Sequence, residues 1–249
     1  MEIINKYPIF INDRKLDAQE IYHLTPYFSE IIYMEKNKIP NNCFYYELKK
    51  GLGFKSDDLF LGPIEFFKNL RNFPKILNSK RKELLAKSIG LDHLKSNGRV
   101  IDMTCGLGSD SLKITYWGGA VSSFERNFVS YLLTSDALQR LSEISTDKIF
   151  KLEHGEFIGK QEVESMRDTV IYYDPMYPDS NKKSLPSGNI QVLRSLIGED
   201  VDIESQIASV LDLRPKRFVM KRPKKGMILF ESRLHHQIVG SSTRFDIYT

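Results

Sequence analysis

Cysteine is nearly absent. Cys43 and Cys105 are the only two, in unlike contexts and with no metal-like spacing between them, which excludes a disulfide scaffold and makes the reducing cytoplasm the expected location. Five scattered histidines show no ligand spacing, so no metal is expected. No apolar run approaches the roughly 18 residues of a membrane span, and Met1-Glu2-Ile3-Ile4-Asn5 lacks the basic-then-apolar order of a secretory signal. No membrane partner is expected. An excess of charge is lacking too: 36 basic against 32 acidic residues leave +4, with a pI near 8.8, too mild to name a partner by itself.

What is present suits a folded α/β protein. Over 249 residues, 41% are hydrophobic and 27% charged, enough for a sizeable core. The expected organisation is a small N-terminal α+β appendage over residues 1–75 and a larger domain over 76–249. In the first part, residues 31–34, 44–48 and 53–55 read as short strands, the last two joined through Lys49-Lys50-Gly51 as a hairpin. Its aromatics (Tyr22, Tyr27, Phe28, Tyr33, Phe44, Tyr45, Tyr46 and Phe54) have the alternation of a small core, a reading favoured over stacking on RNA bases. No catalytic constellation occurs here, and shaping or capping a substrate cleft is the expected task.

The larger part opens with a helix read over residues 78–90, stopped by Gly90, and is organised around Val100-Ile101-Asp102-Met103-Thr104-Cys105-Gly106-Leu107-Gly108-Ser109-Asp110. A short, partly β-branched run after Asn97-Gly98 reads as a buried parallel strand. Gly106 and Gly108 permit positive φ and close approach by a ligand, and Ser109 and Asp110 are placed to cap the next helix. A strand, a glycine turn and a helix start together suit a nucleotide-like ligand. The dinucleotide fingerprint G-x-G-x-x-G is imperfect, because Ser111 holds the third glycine position. The spacing of Asp102, Gly106 and Gly108 instead resembles motif I of class I S-adenosylmethionine methyltransferases.

Three more strands follow. Residues 120–124 end in Glu125-Arg126, and Glu125 stands 17 residues beyond Gly108, close to where a βαβ unit places an acid on ribose hydroxyls. Residues 148–152 lead to Glu156 and Phe157, whose ring could pack on adenine or in the core. Thr169-Val170-Ile171-Tyr172-Tyr173 ends in Asp174-Pro175-Met176-Tyr177-Pro178. This resembles the (D/N)-P-P-(Y/F) motif of enzymes that methylate exocyclic or amide nitrogens, with Met176 in place of the second proline. A conjugated amine is a poor nucleophile. A carboxylate, here Asp174, and a carbonyl fixed by Pro175 would accept its protons and align it, while Tyr177 would stack on an extruded base.

Residues 189–197 and 203–211 read as helices, 217–220 as a fifth strand, and 236–239 with 244–248 as a terminal hairpin. Two basic clusters stand out: seven basic residues and one acid from Lys68 to Lys87, and seven basic residues in twelve from Arg214 to Lys225. Lys80, Arg81, Lys221 and Arg222 are the candidates there for contacts with RNA phosphates.

Taken in order, D-M-T-C-G-L-G-S-D, F-E-R-N, Y-D-P-M-Y-P, L-I-G-E-D, V-M-K-R-P and R-F-D-I-Y resemble the ribosomal RNA small subunit methyltransferase J family over about residues 60–249. The resemblance implies a class I SAM-methyltransferase fold, Rossmann-like, with a mostly parallel sheet and a terminal antiparallel hairpin. It also implies S-adenosyl-L-methionine as cofactor, transfer to the N2 amine of a guanine, and small-subunit rRNA or the assembled subunit as partner, with a monomer favoured. Cofactor contacts are implied at Ser109, Asp110, Glu125, Arg126, Glu156, Phe157 and Asp174. Two departures mark this chain: Glu156-Phe157 stands where the family tends to have two serines, and Pro74–Lys80 replaces a glycine-rich stretch. Transfer to adenine N6 or a protein glutamine, and a binding module without turnover, are the alternatives.

Overall fold

The computed structural model describes residues 7–11, 18–57, 59–66, 78–80, 82–94, 98–144, 149–158, 166–176, 196, 200 and 202–249. In chain order the elements are β1 (Tyr7–Ile11), β2 (Phe28–Tyr33), β3 (Cys43–Glu47), β4 (Gly51–Ser56), β5 (Leu59–Leu61), α1 (Leu84–Ile89), β6 (Arg99–Asp102), α2 (Ser109–Tyr116), β7 (Ala120–Glu125), α3 (Phe128–Ser142), β8 (Lys151–His154), β9 (Thr169–Tyr173), α4 (Ile203–Asp212), β10 (Arg217–Pro223), β11 (Leu234–Val239) and β12 (Thr243–Tyr248). They fall into two compact units. One comprises Met1–Leu70, Phe128–Asp147 and Asp179–Gly198, the other Arg71–Asn127, Lys148–Pro178 and Glu199–Thr249.

The first unit is built on a five-stranded sheet in the order β2-β1-β3-β4-β5. β1 runs parallel to both neighbours, and β3, β4 and β5 form an antiparallel meander. Sequence pattern does not mark β1, because Pro8 interrupts it. Pairing with β3 starts only at Ile9, so the missing N–H of Pro8 costs no bond on that side. Phe28, Phe44, Tyr45, Tyr46 and Phe54 are buried, whereas Tyr22 and Tyr33 are exposed.

Helix α3 is joined to this unit by Phe128, which packs edge-on against Tyr27 and Phe44, and by one carboxylate. Asp136, fully buried, pairs with His23 Nε2 at 3.1 Å and accepts the Leu52 N–H at 3.0 Å and Arg140 Nε at 2.9 Å. Arg140 in turn donates to the Ile64 carbonyl at 2.7 Å. Gly51 is required beside it, since its φ is +109° and a β-carbon there would lie 2.4 Å from the Arg140 guanidinium.

The second unit carries a seven-stranded sheet in the order β11-β12-β10-β9-β6-β7-β8. β10, β9, β6, β7 and β8 are parallel, and β12 pairs antiparallel with β10 and β11. This is the expected mostly parallel sheet with a terminal antiparallel hairpin. Several boundaries differ from the sequence reading. α1 begins only at Leu84, because Glu83 is extended. β8 begins at Lys151, where pairing with Ser122 starts. The helix read over 189–197 lies outside the described residues except for Leu196.

Alternation along the strands sorts the side chains. Ile101, Ile171, Tyr173, Phe218 and Met220 face α4, packing with Ile207 and Val210. The intervening Asp102, Tyr172 and Lys221 therefore share the opposite face, where α2 meets them through Asp110 and Ser111.

Asp136→Ala should destabilise the protein by about 3–5 kcal/mol, because it strands a buried arginine. Urea unfolding checks this. Asp136→Asn, which keeps one acceptor oxygen, should cost less.

Candidate active site

Strand order reverses at β6: the chain leaves it for β7 on one side and later returns to β9 on the other. Ligands of open parallel sheets bind outside the carboxyl ends of the strands at such a point. Four of those ends converge here, carrying Asp102, Glu125, Asp174 and Lys221.

The turn after β6 is held from below and from the side. Asp102 is 1% exposed. One oxygen accepts the Thr104 N–H at 3.0 Å, and the other accepts the Ser111 hydroxyl, itself 2.8 Å from Ser123 Oγ. Ser111, in the place of a third glycine, is thus a buried link between strand and helix. Gly106 and Gly108 adopt φ of 55° and 78°. Gly108 takes the cap position of α2, and no side-chain cap forms. Ser109 and Asp110 are instead the first helical residues, since the turn already places a left-handed residue where a capping side chain would stand.

Glu125, 4% exposed, accepts the N–H groups of Gly106 and Asn127, each at 2.7 Å. Arg126 reaches Glu156 and Asp202 at 3.3 Å and also bonds Asp200. The second Asp200 oxygen accepts the Met176 N–H at 2.7 Å, and the Asp200 N–H donates to the Met176 carbonyl at 3.2 Å. The Asp174-Pro175-Met176 turn is therefore clamped at both ends, because the Asp174 N–H also donates to Thr104 Oγ1 at 2.8 Å.

On the face shared with α2, Lys221 Nζ lies 2.8 Å from Asp174 Oδ2 and 3.0 Å from Asp110 Oδ2. The Tyr172 hydroxyl donates to the same Asp110 oxygen at 2.8 Å. Burial raises the carboxyl of Asp174 above its ordinary range, and Lys221 offsets part of that rise. Loss of solvent raises Asp110, but Lys221 and Lys113 outweigh it and hold that acid low. For Lys221, loss of solvent acts downward and the two carboxylates prevail, so its ammonium is stabilised. Burial pushes Asp102 up to about 7, with the charges of Asp110 and Asp174 adding to the effect. Burial likewise raises Glu125, against its backbone bonds.

A model of SAM-dependent methyltransferases matches residues 55–249. The small-subunit rRNA methyltransferase J of Pseudoalteromonas atlantica is 30% identical over 195 residues, covering 74% of this chain and 75% of that one. The Bdellovibrio bacteriovorus protein of the same name is 31% identical over 201 residues, 80% and 78% of the two chains. The chain belongs to the ribosomal RNA small subunit methyltransferase J family. A SAM-dependent methyltransferase structure from Neisseria gonorrhoeae has the same fold, with a TM-score of 0.62 at 22% identity over 97% of this chain and 95% of that one.

The site's donor set fits adenosylmethionine, the cofactor of this family. The turn is open at Gly106, where an added β-carbon would meet nothing within 4 Å. Asp110 and Asp174, paired with Lys221, and Glu125 at the end of β7 put carboxyl groups around the turn, which suits a ligand carrying a sulfonium and an ammonium and disfavours a pyrophosphate.

The structure places the remaining residues singled out by sequence as follows. The ring of Phe157 is 3% exposed and packs on Phe124 at 5.3 Å, a core placement. Glu156 is exposed. Lys221 and Arg222 point to opposite faces of β10. Arg222 is 6% exposed, with Nη2 bonded to the Met227 carbonyl, so the two do not form one basic patch. Lys80 pairs with Asp92 at 2.9 Å. Tyr177 and Arg81 lie outside the described residues. Sequence reasoning missed Thr104, Tyr172 and Asp200 as groups that shape the site, although Thr104 stands in D-M-T-C-G-L-G-S-D and Asp200 ends L-I-G-E-D. Among the described residues, no group of three or more metal-ligating side chains is assembled, and no helix is long and apolar enough to cross a membrane.

The Asp102 carboxyl keeps its proton to about pH 7 in the folded enzyme and only to about pH 4 when unfolded. Its contribution to stability therefore falls as pH rises through that interval. Asp102→Asn should flatten the pH dependence of the unfolding free energy there, measured by urea titration at several pH values.

Proposed function

We propose that the enzyme methylates the exocyclic N2 amine of a guanine in small-subunit ribosomal RNA, met as free RNA or in the assembled subunit. The observation that carries this reading is Asp174. Its carboxylate stands at the carboxyl end of β9, with a side chain 33% exposed, on a turn fixed by Thr104 and Asp200. The names borne by the relatives support the substrate class.

When bound, adenosylmethionine would supply an electrophilic methyl group, whose bond to sulfur would break as the nitrogen lone pair formed the new bond to carbon. Asp174 accepts an N–H of the amine and aligns its lone pair. An aryl amine is far too weak an acid to be deprotonated first, so the surplus proton leaves after transfer, to Asp174 and then to solvent. Pro175, buried, keeps the carbonyl beside it rigid, and Tyr177 stacks on the extruded base. Glu125 takes the ribose hydroxyls, since its carboxylate has about four acceptor sites and the backbone N–H groups around it do not use them all. The glycine turn, with Ser109 and Asp110, receives the amino-acid end. Arg126 and Glu156 border the adenosine. Lys80, Arg81, Lys221 and Arg222 are the candidate phosphate contacts; the ion pairs of Lys221 with Asp174 and Asp110 favour a role beside the reacting groups for that lysine instead.

Incubation with labelled adenosylmethionine and small-subunit RNA, assembled subunits or protein, followed by nucleoside analysis, tests the assignment. Label in N2-methylguanosine is expected; label in N6-methyladenosine or methylglutamine would overturn it. Glu125→Ala should weaken adenosylmethionine binding by about 1.5–3 kcal/mol, the scale of a charged acceptor, as read by calorimetry. Asp174→Asn should lower single-turnover methylation about a hundredfold or more and change cofactor affinity far less.

A further inference from the structure

Pairing between β9 and β10 runs to Tyr173 beside Met220, so the next residue on each strand, Asp174 and Lys221, emerge side by side at the mouth of the site. Lys221 cannot turn away freely, because its backbone is paired on the other side with Phe245 of β12. Its ammonium is directed into two carboxylates, Asp174 at 2.8 Å and Asp110 at 3.0 Å. Asp110 is itself fixed by the Tyr172 hydroxyl at 2.8 Å. A lysine meant for phosphate would project into solvent, whereas this side chain is 29% exposed and bonded at both acids.

We propose that Lys221 is a positioning residue for methyl transfer, which grips Asp174 through Oδ2 and leaves Oδ1 to accept from the amine. The inference rests on the reading of Asp174 given above. The Asp110 bond gives Lys221 a second seat, so the grip on Asp174 survives small movements of either strand end. Charge adds to geometry. Among the described residues, the groups facing Asp174 are Lys221 from β10, Asp110 from α2, Asp102 from β6 and Tyr172 from its own strand. Lys221 is the cation among them, set against two further carboxyl groups. Without it, burial and Asp110 would both favour a protonated Asp174, which has lost one of its acceptor sites and the charge that complements a forming ammonium.

The experiment is single-turnover methylation of unmodified small-subunit RNA across a pH series, with cofactor affinity measured in parallel. Activity falls as pH drops through the Asp174 titration, which sets the acid limb of the profile. Lys221→Met should move that limb upward by about one to three pH units and slow the reaction at its acid end by about tenfold or more. Cofactor binding should change by less than about threefold. Lys221→Arg, which retains the charge, should restore the limb. Lys221→Gln, which keeps an N–H donor without the charge, is the second variant should methionine prevent folding, as judged by circular dichroism. A wild-type limb in either neutral variant, with Asp174→Asn inactive, would overturn the role of Lys221 and leave the reading of Asp174 standing. A neutral variant that instead changes only the salt dependence of RNA binding would return the lysine to phosphate contact and overturn the proposal. Full activity of Asp174→Asn would overturn both.

Discussion

The Glu125 carboxylate accepts one N–H from the turn after β6 and one from the turn after β7, and so joins loops that belong to different strands. Gly106 and Gly108 give the first of these turns its positive φ, at the cost of conformational freedom that folding must remove. Hydrogen bonds to a charged acceptor are among the stronger ones in proteins, roughly 1.5–3 kcal/mol, and those of Glu125 select one conformation from the many that two glycines allow. The Asp102 carboxyl holds the Thr104 N–H two residues earlier in that turn, and Asp200 holds the Met176 N–H at the turn after β9. Three loops that would otherwise move independently are each closed by a carboxylate on backbone N–H groups. The site is shaped before any ligand arrives.

That solution fills a small volume with acids. A helix start and a glycine turn ordinarily attract phosphate, and the same construction here has its sign reversed by the carboxyl groups packed around it. The groups that hold the loops in place thus give the turn a negative character that matches a cationic cofactor. The arrangement also accounts for the half-buried ammonium of Lys221: one positive charge keeps Asp110 and Asp174 from repelling each other across a short gap.

The parts of this arrangement that were legible in the sequence are those encoded locally. Apolar runs ending in an acid, glycines at fixed offsets and a D-P turn are read within a dozen residues, and they placed β6, β7, β9, Glu125 and Asp174 correctly along the chain. What was not legible joins distant positions. Lys221 meets Asp174 across 47 residues and Asp110 across 111, and Arg126 meets Asp200 across 74. Composition suggested a basic surface around Lys221 and Arg222. Alternation along β10 divides that pair between two faces, and only the sheet register shows that one of them faces acids. Phe157 was ambiguous for a related reason: an aromatic beside a ligand loop and an aromatic in a core have the same sequence environment.

β12 is inserted between β10 and β11 although it follows both in the chain, and its residues from Arg244 to Tyr248 are buried. During synthesis, then, β10 is made while the strand that will cover its outer edge does not yet exist. Until residues 243–248 have emerged, the nascent sheet presents an open row of N–H and C=O groups next to the reaction site, the kind of edge to which another chain can add. Lys221 and Arg222 lie on that edge. Their charges make the unfinished strand a poor template for aggregation, a service rendered before the lysine has any carboxylate to hold.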